Sequence, residues 1–161
     1  MQIVNRSIEL ETATGIEIYD ITPQIKAIVK ETGIQNGQAL IFSRHTTTAL
    51  AINEFEPRLM DDLKVYLRKL APETGSYKHN DLHLRPNIPP DEPMNAHSHL
   101  MAMTLSTSEV IPIANGKLAL GTYQSVMLFE LDGPRKRSVF CQMWGEFKER
   151  RQLGVEQWRG R

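Results

Sequence analysis

Cysteine is almost missing from this chain: of 161 residues only Cys141 carries a thiol, so no internal disulfide can staple the fold. Its apolar neighbours, Val139-Phe140 and Met143-Trp144, cast it as a small packed group. Charge of one sign is missing as well. Nineteen Lys and Arg balance nineteen Asp and Glu, leaving no net field to draw in nucleic acid or an anionic membrane. No basic arm or aromatic ribonucleoprotein motif compensates. No apolar run approaches a bilayer span, and Met1 to Thr12 lacks the apolar stretch of a secretory signal. A cytoplasmic protein with no nucleic-acid and no membrane partner is the expectation. Gly-rich phosphate loops, serine elbows and paired-aspartate metal motifs are also absent.

What is present is histidine in an unusual distribution. All five fall between His45 and His99, in three patches: Arg44-His45-Thr46-Thr47-Thr48, Tyr77-Lys78-His79-Asn80 and Asn95-Ala96-His97-Ser98-His99. His83 lies between the second and third patches. Imidazoles bind transition metals or move protons near neutral pH. Three neutral imidazoles with one open position make a zinc-type site. Spacings of 34 residues (45 to 79) and 20 (79 to 99) are too long for a local finger, so any such site needs tertiary structure. Taken singly, each histidine reads more readily as an exposed loop residue.

The length suits one domain over residues 1–161, with a charged tail over 145–161 in which Leu153, Val155 and Trp158 could anchor. Ile3 to Leu10 reads as a strand and Gly15 opens another at Ile16 to Tyr19, together an amino-terminal hairpin. Thr22-Pro23 starts a helix with a hydroxyl cap, Ile25, Ile28 and Val29 share a face, and Gly33 stops it. Ala39 to Ser43 and Ala49 to Ile52 read as strands. Pro57 to Leu70 is the clearest helix, with Leu59, Leu63, Tyr66, Leu67 and Leu70 at helical spacing. Pro72 to Pro93 is a long Pro-, Asn- and Asp-rich loop.

Asn95 would cap a stretch to Leu105 that is either a helix burying Leu100, Met103 and Thr104, or an extended segment. A helix would set His97 and His99 about 200° apart, whereas an extended segment would aim both the same way. Asn115-Gly116 marks a hairpin between Val110 to Ile113 and Lys117 to Leu120, with Pro112 at an edge or bulge. Ser125 to Glu130 is a buried strand, Asp132-Gly133-Pro134 a turn, and Arg137 to Trp144 the return strand. The pattern is α+β: mainly antiparallel β-sheets packed as a sandwich, with two or three helices.

Five phrases, in order, resemble the YjbQ-like family. They are His45-Thr46-Thr47 with Asn53-Glu54, Tyr77-x-His79, and Asn95-Ala96-x-x-His99, followed by Gly116-x-Leu118-x-Leu120-Gly121-Thr122-Tyr123-Gln124 and Glu130-x-Asp132-Gly133-Pro134-Arg135. The resemblance spans about Gly37 to Glu146. It implies a compact α+β fold assembled as a homotrimer, and a site where His45, His79 and His99 converge around a divalent metal, zinc or magnesium. It also implies a secondary thiamine-phosphate synthase activity, joining a pyrimidine diphosphate to a thiazole phosphate and releasing pyrophosphate. Tyr123 stands where many members have Trp, Ser106 replaces a common Gly, and the Asn80 to Met94 loop is long.

Beside that resemblance, Glu54 could serve as general base or orient a histidine, or else cap the helix near Pro57. Asn53 and Gln124 are candidate substrate contacts. Arg135 could fork a phosphate of a small phosphorylated substrate, or join Lys136 and Arg137 in a solvated charge cluster. His97 and His83 are left outside the first set. Metal-dependent hydrolysis of a small phosphorylated or amide substrate, and a non-catalytic oligomeric ligand-binding module, are the rival readings.

Overall fold

The computed structural model describes residues 2–148; the expected anchors Leu153, Val155 and Trp158 lie outside the described residues. The elements run β1 (Gln2–Glu11), β2 (Gly15–Asp20), α1 (Thr22–Thr32), β3 (Ile34–Ser43), β4 (Thr48–Asn53), α2 (Pro57–Leu70), α3 (Ala96–Thr104), β5 (Ser108–Ala114), β6 (Lys117–Leu118), β7 (Ser125–Gly133) and β8 (Lys136–Phe147). Two antiparallel sheets result: five strands in the order β1-β8-β3-β5-β6 and three in the order β2-β7-β4. The α+β sandwich read from the sequence is the observed architecture, with three α-helices among the described residues. Among the described residues no helix is long and apolar enough to cross a membrane.

Alternation along the strands builds the layers. Val126 and Leu128 of β7 face the large sheet, packing with Leu50, Ile41, Val139, Cys141 and the α1 residues Ile25 and Val29. Met127, Phe129 and Leu131 face the other way, onto Met60 and Leu67 of α2 and Met101 of α3. β7 is therefore buried on both faces, and the order is large sheet, small sheet, then α2 and α3, with α1 packed into the core that the two sheets share. Burial pushes the Cys141 thiol up to about 12, as expected of an inert packed group.

Several local expectations are corrected. β1 and β2 form no hairpin with each other: β1 pairs with β8 and β2 with β7, in different sheets. β7 and β8 likewise part at the Gly133-Pro134 turn, so β8 returns in the other sheet. Thr22 is the first residue of α1 rather than its cap, and its hydroxyl accepts the Val126 amide at 2.8 Å. On α2 the buried residues are Met60 and Leu67, with Leu59 and Leu63 packed beside them, while Tyr66 and Leu70 are exposed, so the covered face is turned toward Met60. Glu56, not Glu54, caps that helix through the amides of Arg58 and Leu59. The third segment is helical, yet it buries Ser98, Met101 and Ala102 and leaves Leu100 and Met103 exposed.

The Asn115-Gly116 hairpin is as expected, with positive φ at both residues. The Pro112 carbonyl accepts the Ala119 amide, so its donorless nitrogen faces two-residue β6 rather than β3.

Where β3 crosses β8, Gly37 stands opposite Gly145, each at strongly positive φ. A Cβ on Gly145 would enter the Asn36 carbonyl and one on Gly37 the Trp144 carbonyl. Gly145→Ala is therefore expected to destabilise by about 2 kcal/mol or more, read as a lower urea midpoint with an unchanged m-value.

Candidate functional site

Two imidazoles from different segments meet at the amino end of α3. The His79 and His99 rings touch edge to face, their centroids 4.8 Å apart. A clamp of local bonds brings them together. The Asn80 side chain accepts the Ala96 amide at 3.1 Å, so a loop residue next to His79 caps the helix that carries His99. Asn95, expected to be the capping side chain, instead donates to Asp132 at 2.7 Å. The Pro72–Pro93 loop folds into two single 3₁₀ turns, tied by Tyr77 to the Pro72 carbonyl and by an Arg85–Glu92 ion pair.

Beside the pair lies a cleft of about 390 Å³ lined by Tyr77, Lys78, His79, His99 and Leu100. Nε2 of His79 is buried with no partner among the described residues. An imidazole nitrogen left so is an open position for a ligand or a water. Burial, and then the neighbouring His79, hold His99 below the usual imidazole value, while Asp132 and Glu92 pull the other way. Such a ring is neutral at pH 7.

His45 belongs to the same end of the molecule but turns elsewhere. It sits on the Arg44–Thr47 connection that carries the chain from the large sheet to the small one, and its Nε2 accepts the Ser138 amide at 2.9 Å. Thr46, the next residue, has its backbone against His99. Burial first and the Arg137 guanidinium second lower the His45 value. The three histidine-bearing segments therefore meet, with two rings in mutual contact and the third on an amide. Among the described residues no group of three His, Cys, Asp or Glu side chains is placed to hold a metal.

Arg135 reaches this end through Asp132, to which it is paired at 2.9 Å. The other candidates do not. Asn53 pairs with Ser125 and Thr48 with Glu130, so Asn53 lies five residues, or about 17 Å of strand, beyond the end where His45 is held. Glu54 and Gln124 flank Asn53 and Ser125 in sequence; Glu54 is exposed, with its amide on the Asn53 side chain, and Gln124 accepts the Gly121 amide. His97, on the far face of α3, lines a separate cavity of about 310 Å³ with Arg68 and Asp132, and His83 is exposed.

The reading of Arg137 as part of a solvated cluster is corrected. It is 5% exposed and Glu130 is fully buried. They form a two-point ion pair, Nε to Oε2 at 2.6 Å and Nη2 to Oε1 at 2.7 Å, and Nη2 also donates to Thr47 at 2.9 Å. Thr12 and the Asp132 amide complete the carboxylate's bonding at 2.7 and 2.8 Å. The signal was available: Arg137 is in phase with inward Val139, Cys141 and Met143, and Glu130 with Val126 and Leu128.

A family model described as UPF0047 protein YjbQ-like matches residues 6–146. A UPF0047 protein of Methanothermobacter thermautotrophicus is 37% identical over 146 residues, covering 91% of this chain and 95% of its own. YugU of Bacillus subtilis is 32% identical over 141 residues, covering 87% and 98%. Among solved structures, a YbjQ-like protein of unknown function from Sulfolobus solfataricus superposes with a TM-score of 0.82 at 38% identity, covering 90% of this chain and 99% of its own. A Clostridium acetobutylicum protein of the YjbQ/UPF0047 family gives 0.76 at 36% identity, covering 86% and 99%.

Proposed function

Since the chain belongs to the YjbQ-like (UPF0047) family, we propose that it is a cytoplasmic enzyme acting on a small phosphorylated substrate at the His79–His99 cleft, with thiamine-phosphate synthase as the reaction to test. The observation that carries this is the paired imidazoles with an unpartnered, buried nitrogen on His79. In that reaction a thiazole nitrogen attacks the methylene carbon of the pyrimidine diphosphate. The carbon–oxygen bond breaks and its electron pair leaves with pyrophosphate, so no proton need be removed. The site's task is to offset charge on the departing group. Lys78 lines the cleft and Arg135 stands behind Asp132.

A divalent cation is part of the proposal. Imidazole donors favour zinc over magnesium, and His79 and His99 would hold it, with substrate oxygens completing its shell. Such an ion would add positive charge where the diphosphate departs.

Assembly as a homotrimer is proposed too. The outer face of the large sheet sets Phe42 opposite Phe140 and Leu40 opposite Val110, with Ile3 opposite Trp144. Phe42, Val110 and Ile3 are exposed there, an apolar face of the kind that subunits cover. Asn53, Glu54 and Gln124 are then proposed to complete a neighbouring protomer's histidine cleft, with Asn53 and Gln124 on the substrate and Glu54 orienting an imidazole.

The test incubates purified protein with both substrates, with zinc or magnesium supplied. Thiamine phosphate and pyrophosphate in equal amounts are expected, from a species of three-chain mass by light scattering. A trimer that forms no product would overturn the synthase reading. Hydrolysis of generic phosphate esters instead would favour the hydrolase.

A further inference from the structure

β3 stops pairing with β8 at Ser43 opposite Val139. The next β8 residue, Ser138, still stands opposite Glu9 of β1 but has no β3 residue on its other side, and there the His45 ring takes the place of a backbone carbonyl for its amide. An N–H can donate only to a nitrogen with a free lone pair. Nε2 of His45 is therefore bare, and the proton of the neutral ring is on Nδ1. Protonating Nε2 would set two N–H groups against each other.

The surroundings hold this arrangement from both sides. Arg137 immediately precedes Ser138, and its guanidinium is fixed by Glu130 at two points. The same Nη2 grips Thr47, two residues after His45. Thr47 accepts the Leu131 amide at its carbonyl, 3.1 Å away, and Thr48 donates to the His45 carbonyl. The ring, its acceptor nitrogen and its donor amide thus hang on one buried ion pair. Nδ1 makes no hydrogen bond among the described residues.

We propose that the buried Glu130–Arg137 pair is a positioning device that presents His45, which stands at the same end but outside the lining of the His79–His99 cleft, as a neutral Nδ1–H donor to a phosphate oxygen of a substrate that extends beyond that cleft. The phosphate part of this inference rests on the function proposed above; the tautomer does not. In this role His45 neither removes a proton nor ligates a metal through Nε2. It recognises an acceptor. Arg137 and Glu130 act through His45 and touch no substrate, so they are positioning residues.

The experiment is nitrogen-15 NMR of the histidine side chains in the full-length protein at pH 7, with the His45 signals assigned by their loss in His45→Asn. Nε2 is expected to resonate as a bare nitrogen and Nδ1 as an N–H. Thr47→Ala is expected to blur this into a tautomer mixture, and Thr47→Ser to restore it. An imidazolium or an Nε2–H form in the wild type would overturn the inference, whatever the synthase assay reports. With inorganic pyrophosphate as probe, His45→Ala should lose about 10- to 100-fold in affinity, the worth of one hydrogen bond to a charged group. His45→Asn, whose amide can offer an N–H near the Nδ1 position, should keep most of it. Equal losses in both variants would remove the donor role even if the NMR pattern holds.

Discussion

Replacing Arg137 with Ala is expected to destabilise the fold by about 3–5 kcal/mol, because the change leaves Glu130 ionised, buried and short of its main partner. The carboxylate has no route to water: Glu130 is fully buried and faces the interior between the sheets. Burial alone would raise its pKa. The bonds from Arg137, the Asp132 amide and Thr12 outweigh burial and hold the carboxyl below its usual value. Chemical denaturation of Arg137→Ala and of the double variant Glu130→Leu/Arg137→Met would check the origin of the loss. The double variant should recover much of it, since removing both charges leaves none stranded. Equal losses in the two would assign the effect to packing.

The same pair sets an acid limit. Because the Glu130 value is lowered on folding, its contribution is complete above the unfolded carboxylate value of about 4.3. It is lost as pH falls through the lower folded value. Wild-type stability should thus fall between about pH 5 and the onset of acid unfolding, and the double variant should show a shallower fall.

Legibility followed the period of each segment. The strands from Ile3, Ala39, Ala49 and Ser125, the helix from Pro57 and the Asn115-Gly116 turn announced themselves by alternation, helical spacing or turn chemistry, and all are present. Strand partners were not legible. A short connection such as Thr12 to Thr14 looks like a hairpin loop, yet here it carries the chain between sheets, and nothing local distinguishes the two cases. On α2 the expected stripe is right at Leu59, Leu63 and Leu67 and differs only in turning toward Met60, away from Tyr66 and Leu70. On α3, where apolar residues occur all round, the inward face was misjudged. Only the packing of each helix against the small sheet decides which are covered.

The candidate site was legible as a list of segments. The family phrases named His45, His79 and His99, and the fold brings the segments to one end. What escaped was Asn80 as the cap that docks His79 beside His99, and the buried Glu130–Arg137 pair behind His45. Both depend on partners 16 and seven residues away. Charged residues in a run such as Arg135-Lys136-Arg137 read as solvent-facing unless their phase in the strand is followed.

His99→Ala should reduce turnover by about 100-fold or more while leaving the fold intact, because the ring is half-buried against His79 and holds little of the core. Bound zinc should fall with it, measured by elemental analysis of the two proteins. Since His99 titrates below an ordinary imidazole, the acid limb of the wild-type rate should lie below the usual value of about 6.5. Glu54→Ala, at the other end of β4, should match this loss only if its carboxylate reaches a cleft. A span of about 17 Å of strand forbids that within one protomer, so a neighbour must receive it. Mixing decides the point. Equal amounts of the two inactive variants, unfolded and reassembled together, place an intact His99 against an intact Glu54 in about one site in four of a cyclic trimer. Recovery to about a quarter of wild-type activity is the expected result. No recovery, from trimers shown to have exchanged subunits, would confine the cleft to a single chain and leave Glu54 without a part in it.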